Sequence, residues 1–154
     1  MVANYTASKK RRRQDDFTPG GLNTKRPDRA VLIYTNLIRQ FFKNTKPIMI
    51  GGIEASLRRV AHYDYWDDKI RRSIIFDAKV DILVYGMGEK AILEVAERLS
   101  NNESIENVRG ICYISKEPKD GYITLPSFEE VVADKNKFIQ MFHQFYYNTQ
   151  RLLR

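Results

Sequence analysis

Residues 47–74 read PIMIGGIEASLRRVAHYDYWDDKIRRSI. The apolar run Pro47-Ile48-Met49-Ile50 feeds directly into Gly51-Gly52, which is how a buried strand ends where the backbone must turn tightly or approach a ligand closely. Downstream, aromatic and paired charged residues are dense for a segment that still has to fold, as expected of a specific loop rather than generic surface.

Outward from this block the chain alternates helices and strands. A helix is expected from about Asp28 to Lys43, with Asp28 as N-cap and Val31, Tyr34, Ile38, Phe41 and Phe42 on one face. The strand Ile48–Ile50 follows, behind a proline suited to a strand entrance. Asp81 to Tyr85 reads as a second buried strand, because four successive apolar residues suit a strand covered on both faces. Gly86-Met87-Gly88 breaks it, and a helix runs from about Glu89 to Ser100 on Ile92, Val95, Ala96 and Leu99. Residues 57–78 have an ambiguous pattern with room for a short helix.

A third strand is expected over 110–115, with 121–124 pairing in a hairpin around Lys119-Asp120-Gly121. The last helix is expected over 134–152, with Phe138, Met141, Phe142 and Phe145, extended by Thr149 and Leu152, as an apolar stripe. The alternation predicts an α/β fold with a mainly parallel, Rossmann-like sheet flanked by helices. Three segments are expected: an irregular basic arm (1–27), an incomplete α/β domain (28–133) and a C-terminal helix (134–154).

At 154 residues, with 43% hydrophobic and 12% aromatic residues, the chain suits one ordinary domain and not wholesale disorder. No stretch approaches a membrane span or a secretory signal, and one cysteine excludes a disulfide framework, so a cytoplasmic location is the expectation. The net charge of +7 is concentrated at the start. Within the first thirty residues eight basic side chains face only Asp15, Asp16 and Asp28. The run Lys9-Lys10-Arg11-Arg12-Arg13, flanked by Tyr5 and Phe17, is therefore where RNA or another polyanion would bind, the alternative to a solvated or intramolecular role.

Candidate chemistry gathers at two glycine-bearing strand ends, since ligands of open α/β sheets bind beyond the carboxyl ends of strands. At the first, Gly51, Gly52, Glu54, Arg58, Arg59, His62, Tyr63, Tyr65, Trp66, Arg71 and Arg72 form a candidate cleft or domain-docking segment. Its aromatic residues would give contact area, and its arginines would clamp an anion or anchor a neighbouring domain. At the second, Gly86, Gly88 and Glu89 form a candidate strand-end ligand loop. However, this GxG lacks a third glycine and puts Glu89 at the anion position, so it is no dinucleotide fingerprint; Glu89 suits the first helical turn. His62 with Asp64, Asp67 and Asp68 is read as local ion pairing with Lys69, Arg71 and Arg72 rather than a metal site, and His143 as a polar-face residue. Cys112, in the apolar run Gly110 to Ile114, is read as a small buried hydrophobe.

Four blocks in order, NYTASKKRRRQDDFTPGG (4–21), RPDRAVLIYTNLIR (26–39), the Gly51–Ile74 segment with DILVYGMGEKAILEVAERL (81–99), and TLPSFEEVVADKNKF (124–138), resemble the YgiQ-type family of radical S-adenosylmethionine proteins. The resemblance implies a cobalamin-binding-like α/β region near the start of a much longer polypeptide, preceded by a strand and helix, with Met1 at an internal methionine. Behind it the family carries a radical S-adenosylmethionine barrel. There a CxxxCxxC motif holds a four-iron, four-sulfur cluster, and S-adenosylmethionine is cleaved to a radical that abstracts hydrogen from a substrate the resemblance does not name. A cluster of this kind needs several thiolates, and this chain has Cys112 alone. Neither His62 nor His143 sits in the DxHxxG motif that ligates cobalt. The resemblance therefore implies an N-terminal accessory piece, itself non-catalytic and binding no cofactor, whose partner is the barrel of the same polypeptide. An open sheet edge left by a lost first strand would favour aggregation.

Overall fold

In the computed structural model, residues 4–151 are described; Met1 and Leu152 lie outside them. The sheet is built on β4 (Ile82–Val84), whose three residues are all buried. On one side β1 (Met49–Ile50) pairs with it in parallel, and on the other β5 (Ile111–Tyr113) pairs antiparallel, in the order β1-β4-β5. The sheet is thus small and mixed, which corrects the mainly parallel expectation: residues 101–110, joining α4 (Glu89–Ser100) to β5, return the chain antiparallel.

Successive strand side chains face opposite ways, and the two cores follow this alternation. Leu83 packs with Ile48, Ile50, Ala55, Ile74, Ile75, Ala78 and Val80 on one face. Ile82 and Val84 pack with Ala91, Val95, Val108 and Ile111 on the other, where α4 lies. Burial on both faces explains the unbroken apolar run. Asp81, one residue before β4, accepts from Ile48 N at 2.7 Å and from Arg39 Nη2 at 2.6 Å, tying the first helix to the entrance of β1.

That helix, α1 (Ala30–Phe41), starts later than expected: Arg29 is its N-cap, without a side-chain cap bond. Asp28 does not cap, because its carboxylate accepts instead from Asn4 Nδ2 at 2.8 Å and Tyr5 Oη at 2.9 Å. Apart from Val31, the expected apolar face of α1 is exposed. Val31 and Leu32 pack on the core, whereas Tyr34, Ile38, Phe41 and Phe42 are exposed, Phe41 to 69%.

The ambiguous stretch resolves into α2 (Gly52–Leu57), a hairpin of β2 (His62–Asp64) and β3 (Lys69–Arg71), and α3 (Ile74–Asp77). The hairpin around 119–121 does not form: Tyr122 N reaches only Lys119 O, closing a turn. Instead Ser127 and Glu130 make a reciprocal capping box that starts α5 (Phe128–Ala133), an element the periodicity did not reveal. The last helix, α6 (Lys135–Arg151), buries Met141 but leaves Phe142 half exposed, so only part of its stripe is core; the Thr149 side chain lies outside the description.

Residues 4–27 contain two isolated bridges, Tyr5 with Arg11 and Gln14 with Leu22, and are held by backbone turn hydrogen bonds and by side chains. Asn23 Nδ2 donates to the Asn4 and Arg12 carbonyls at 3.0 and 2.7 Å. Asp15, 2% exposed, takes a two-pronged grip from Arg26 at 2.6 and 2.5 Å and a hydrogen bond from Thr18, and these hold its pKa down to about 2.

Candidate functional site

The segment after Gly51-Gly52 carries the residues that make one wall of a groove of about 880 Å³, and the N-terminal arm makes the other. Of the candidate cleft residues, Glu54, Arg58, His62, Tyr63, Tyr65 and Trp66 line it, and Gly51, Gly52, Arg59, Arg71 and Arg72 do not. The arm contributes Tyr5, Thr6, Ala7 and Arg12, with Ile53, Leu57, Asp28, Arg29 and Asp64 completing the lining. Most of these additions were not singled out as cleft residues, because contacts between segments more than fifty residues apart leave no periodic signal. Tyr5 stood out only as an aromatic beside the basic run.

Arm and hairpin are joined by specific contacts. The Tyr5 and Trp66 rings meet at 4.4 Å between centroids, and Tyr65 Oη donates to the Ala7 carbonyl at 3.2 Å. Lys9, at φ +62°, donates to the Trp66 carbonyl at 3.1 Å and lies over the Tyr65 ring at 4.6 Å. Ordinary residues hold a left-handed conformation only where surrounding contacts fix it. Arg11 and Arg12 donate to the carbonyls of Asn23 and Tyr5. The side chains of three of the five residues of the basic run are therefore engaged within the chain.

Asp64, at the end of β2, organises the hairpin. It is 9% exposed and accepts from Arg29 at 2.8 Å, Arg71 Nε at 2.7 Å and Trp66 N at 3.0 Å. Burial opposes its ionisation, but Arg29, the Trp66 amide and Arg71 outweigh burial and bring its pKa to about 2. Asp67 bonds Arg29 and Arg71 as well, and Arg72 pairs with Asp77 at 2.9 Å. The ion pairing is thus knit to α1 through Arg29 as well as being local. It also leaves Arg71 no open fork for an external anion, whereas Arg72 meets Asp77 through Nε alone and is half exposed.

Arg58 and His62 form a second unit. Arg58 Nη1 binds Glu54 at 2.7 Å, while its Nε donates to His62 Nε2 at 3.0 Å. His62 Nδ1 lies 3.1 Å from the Val60 carbonyl, so the imidazole is neutral, donating at Nδ1 and accepting at Nε2. Burial lowers the His62 pKa, only partly offset by the Val60 carbonyl, which keeps this state. Arg58 Nη2 is buried without a hydrogen-bond partner. Arg59 lies elsewhere: its guanidinium sits between the rings of Tyr85, at 4.7 Å, and Phe145, at 4.3 Å, pinning α6 to the sheet.

The second strand end serves packing. A Cβ on Gly88 would come within 2.6 Å of Val84 Cγ1, and Gly86, at φ +69°, donates its N–H to Ser56 Oγ at 3.1 Å. Glu89 stands in the first turn of α4. Cys112 faces a desolvated site that pushes its thiol pKa up, with Arg59 opposing. One such thiol does not fit an iron–sulfur cluster, and among the described residues no group of three or more His, Cys, Asp or Glu side chains is placed to hold a metal. Among the described residues no helix is long and apolar enough to cross a membrane.

The chain is 63% identical over 149 residues to a UPF0313 protein of Fusobacterium nucleatum, covering 96% of this chain and 26% of that one. It is 55% identical over 143 residues to a UPF0313 protein of Thermotoga petrophila (91% and 25%) and 52% identical over 152 residues to one of Clostridium botulinum (96% and 24%). It spans about a quarter of the length of these curated relatives. No solved structure matches it. The family described as Radical SAM N-terminal matches residues 1–154, end to end, and the chain belongs to that family.

Proposed function

We propose that this chain is the N-terminal accessory domain of a radical S-adenosylmethionine enzyme, non-catalytic by itself, and that its groove side faces the remaining three quarters of the polypeptide. The observation that carries this reading is the exposure of large apolar side chains just after the carboxyl ends of the parallel pair β1 and β4, two of which, Ile53 and Leu57, line the groove. Ile53 is 80% exposed, Leu57 71% and Met87 91%. Solvated apolar groups of this size at strand ends are the mark of a covered surface, and the length of the relatives supplies what would cover it. The parallel β1–β4 pair with its following α2 and α4 is the part that supports a Rossmann-like relationship. The cluster and S-adenosylmethionine would belong to the remaining polypeptide, since the donor set here fits no cluster.

The reading is tested with a chimaera in which this chain replaces the matched region of the Fusobacterium nucleatum relative. Ile53→Asp, Leu57→Asp and Met87→Asp should each stay within about 0.5 kcal/mol of the parent in the isolated chain, where these positions are already solvated. In the chimaera the same changes should lower the thermal midpoint by several degrees, as expected of about 1–3 kcal/mol lost at a buried site. Equal effects in both settings would overturn the reading.

A further inference from the structure

We infer that the N-terminal arm binds single-stranded nucleic acid, with backbone phosphates along the basic run Lys9 to Arg13 and bases against the rings of Phe17 and Tyr63. The inference goes beyond the proposed placement of the domain and does not rest on it. Residues 4–27 carry seven basic side chains against Asp15 and Asp16 alone. All five residues of the run are exposed, and among the described residues none of them is paired with a carboxylate. Asp15 is gripped by Arg26, and Asp28 accepts from Asn4 and Tyr5 and feels Arg11 through space.

The contacts that hold the run fix its shape without discharging it. Lys9, Arg11 and Arg12 each donate to a backbone carbonyl, those of Trp66, Asn23 and Tyr5. A carbonyl is neutral, so each cation keeps its charge, and a guanidinium with five N–H donors keeps others to offer. Lys10 and Arg13 make no side-chain hydrogen bond or ion pair among the described residues. The backbone is fixed as well, since Arg12 N donates to the Asn4 carbonyl and Thr6 N to the Lys10 carbonyl, both at 2.8 Å. Like charges held together by the fold repel one another; a polyanion relieves that repulsion while shedding its own counterions, and it has less ordering to impose than on a flexible tail. Flat faces distinguish nucleic acid from an acidic peptide. Phe17 is 79% exposed on the turn closed by Asp15 and Gly21, with Arg26 over one face at 5.2 Å. Tyr63 is 50% exposed and lines the groove that Arg12 also lines, and among the described residues no ring or cation lies over it. Bases stack on such faces whatever their identity, whereas a carboxylate-rich peptide gains nothing from them.

The test is a titration of fluorescein-labelled oligouridylate with the 154-residue chain, followed by anisotropy at several salt concentrations. With about four phosphates neutralised, the logarithm of affinity should fall against the logarithm of salt with a slope of about −3, roughly fiftyfold between 50 and 200 mM. Lys10→Ala together with Arg13→Ala should reduce that slope by about 1.4. Phe17→Ala and Tyr63→Ala should each weaken binding about tenfold at unchanged slope, while Phe17→Trp and Tyr63→Phe, which keep a flat ring and guard against a folding defect, should hold the parental affinity. Oligoglutamate of equal charge should bind at least about tenfold more weakly than oligouridylate. No binding at the lower salt, a slope unmoved by losing Lys10 and Arg13, or an affinity indifferent to both rings would overturn the inference. Oligoglutamate binding as tightly as oligouridylate would overturn it in favour of an acidic protein segment.

Discussion

Asp64→Asn removes one charge from a site where three donors converge. The carboxylate accepts from Arg29, Arg71 and Trp66 N, and its pKa falls from the ordinary 3.8 to about 2. That difference corresponds to about 2 kcal/mol favouring the ionised fold, reduced by solvent screening because Arg29 and Arg71 are each about one fifth exposed. Added to this is the cost of leaving two guanidinium groups with Asp67 and Asp77 as their remaining partners, on the order of 1–2 kcal/mol. The expected loss is about 2–3 kcal/mol at pH 7, read from urea midpoints at constant slope. A folded pKa below the unfolded one contributes stability that is complete above about 3.8 and lost as pH falls through about 2. Asp64→Asn should therefore flatten the acid limb in that window, leaving the Asp15 contribution. A variant within 0.5 kcal/mol of the parent, with an unchanged acid limb, would refute the view of Asp64 as the organiser of the hairpin.

Three further outcomes follow from single contacts. His62 is held neutral with its pKa below 6.5, so stability should fall as pH drops from about 6.5 through the folded pKa; His62→Asn should remove that dependence between pH 7 and 5 in the same urea assay. Gly88→Ala should cost about 1–3 kcal/mol by forcing a Cβ against Val84, and Val84→Ala in the same chain should recover part of it, as measured by a double-mutant cycle. Ser127→Ala should lower stability by about 1 kcal/mol through loss of the α5 cap, with helical circular dichroism decreasing before the sheet unfolds.

Elements whose burial is local were legible from residue order. The run Ile82-Leu83-Val84 could be assigned because a strand covered on both faces leaves no polar position, and α4 because Val95 recurs on a helical face. The α1 face was legible as apolar but not as uncovered: periodicity reports which residues share a side, not what lies against them, and Phe41 and Phe42 are solvated. The hairpin over 62–71 was hidden because its turn carries Asp68 at φ +51° rather than the Asn-Gly or Asp-Gly that marks such turns. Its pairing is instead held by Asp64 and Arg71. At the site, the wall from Glu54 to Trp66 was legible from the strand end, whereas Tyr5, Ala7 and Arg12 were not, since side-chain bonds such as Asn23 to Asn4 fold the arm back without secondary structure. The antiparallel course of β5 likewise depends on the 101–110 connection, whose composition does not state a direction.

Under the proposed function, the carboxyl-end surface of β1 and β4 is covered by the rest of the polypeptide. Amide hydrogen exchange, compared between the isolated chain and the chimaera with the Fusobacterium nucleatum relative, tests it most directly. Exchange should be slower in the chimaera over residues 52–58 and 86–88, with the amides of β4 unchanged. Equal exchange of both segments in the two proteins would contradict it.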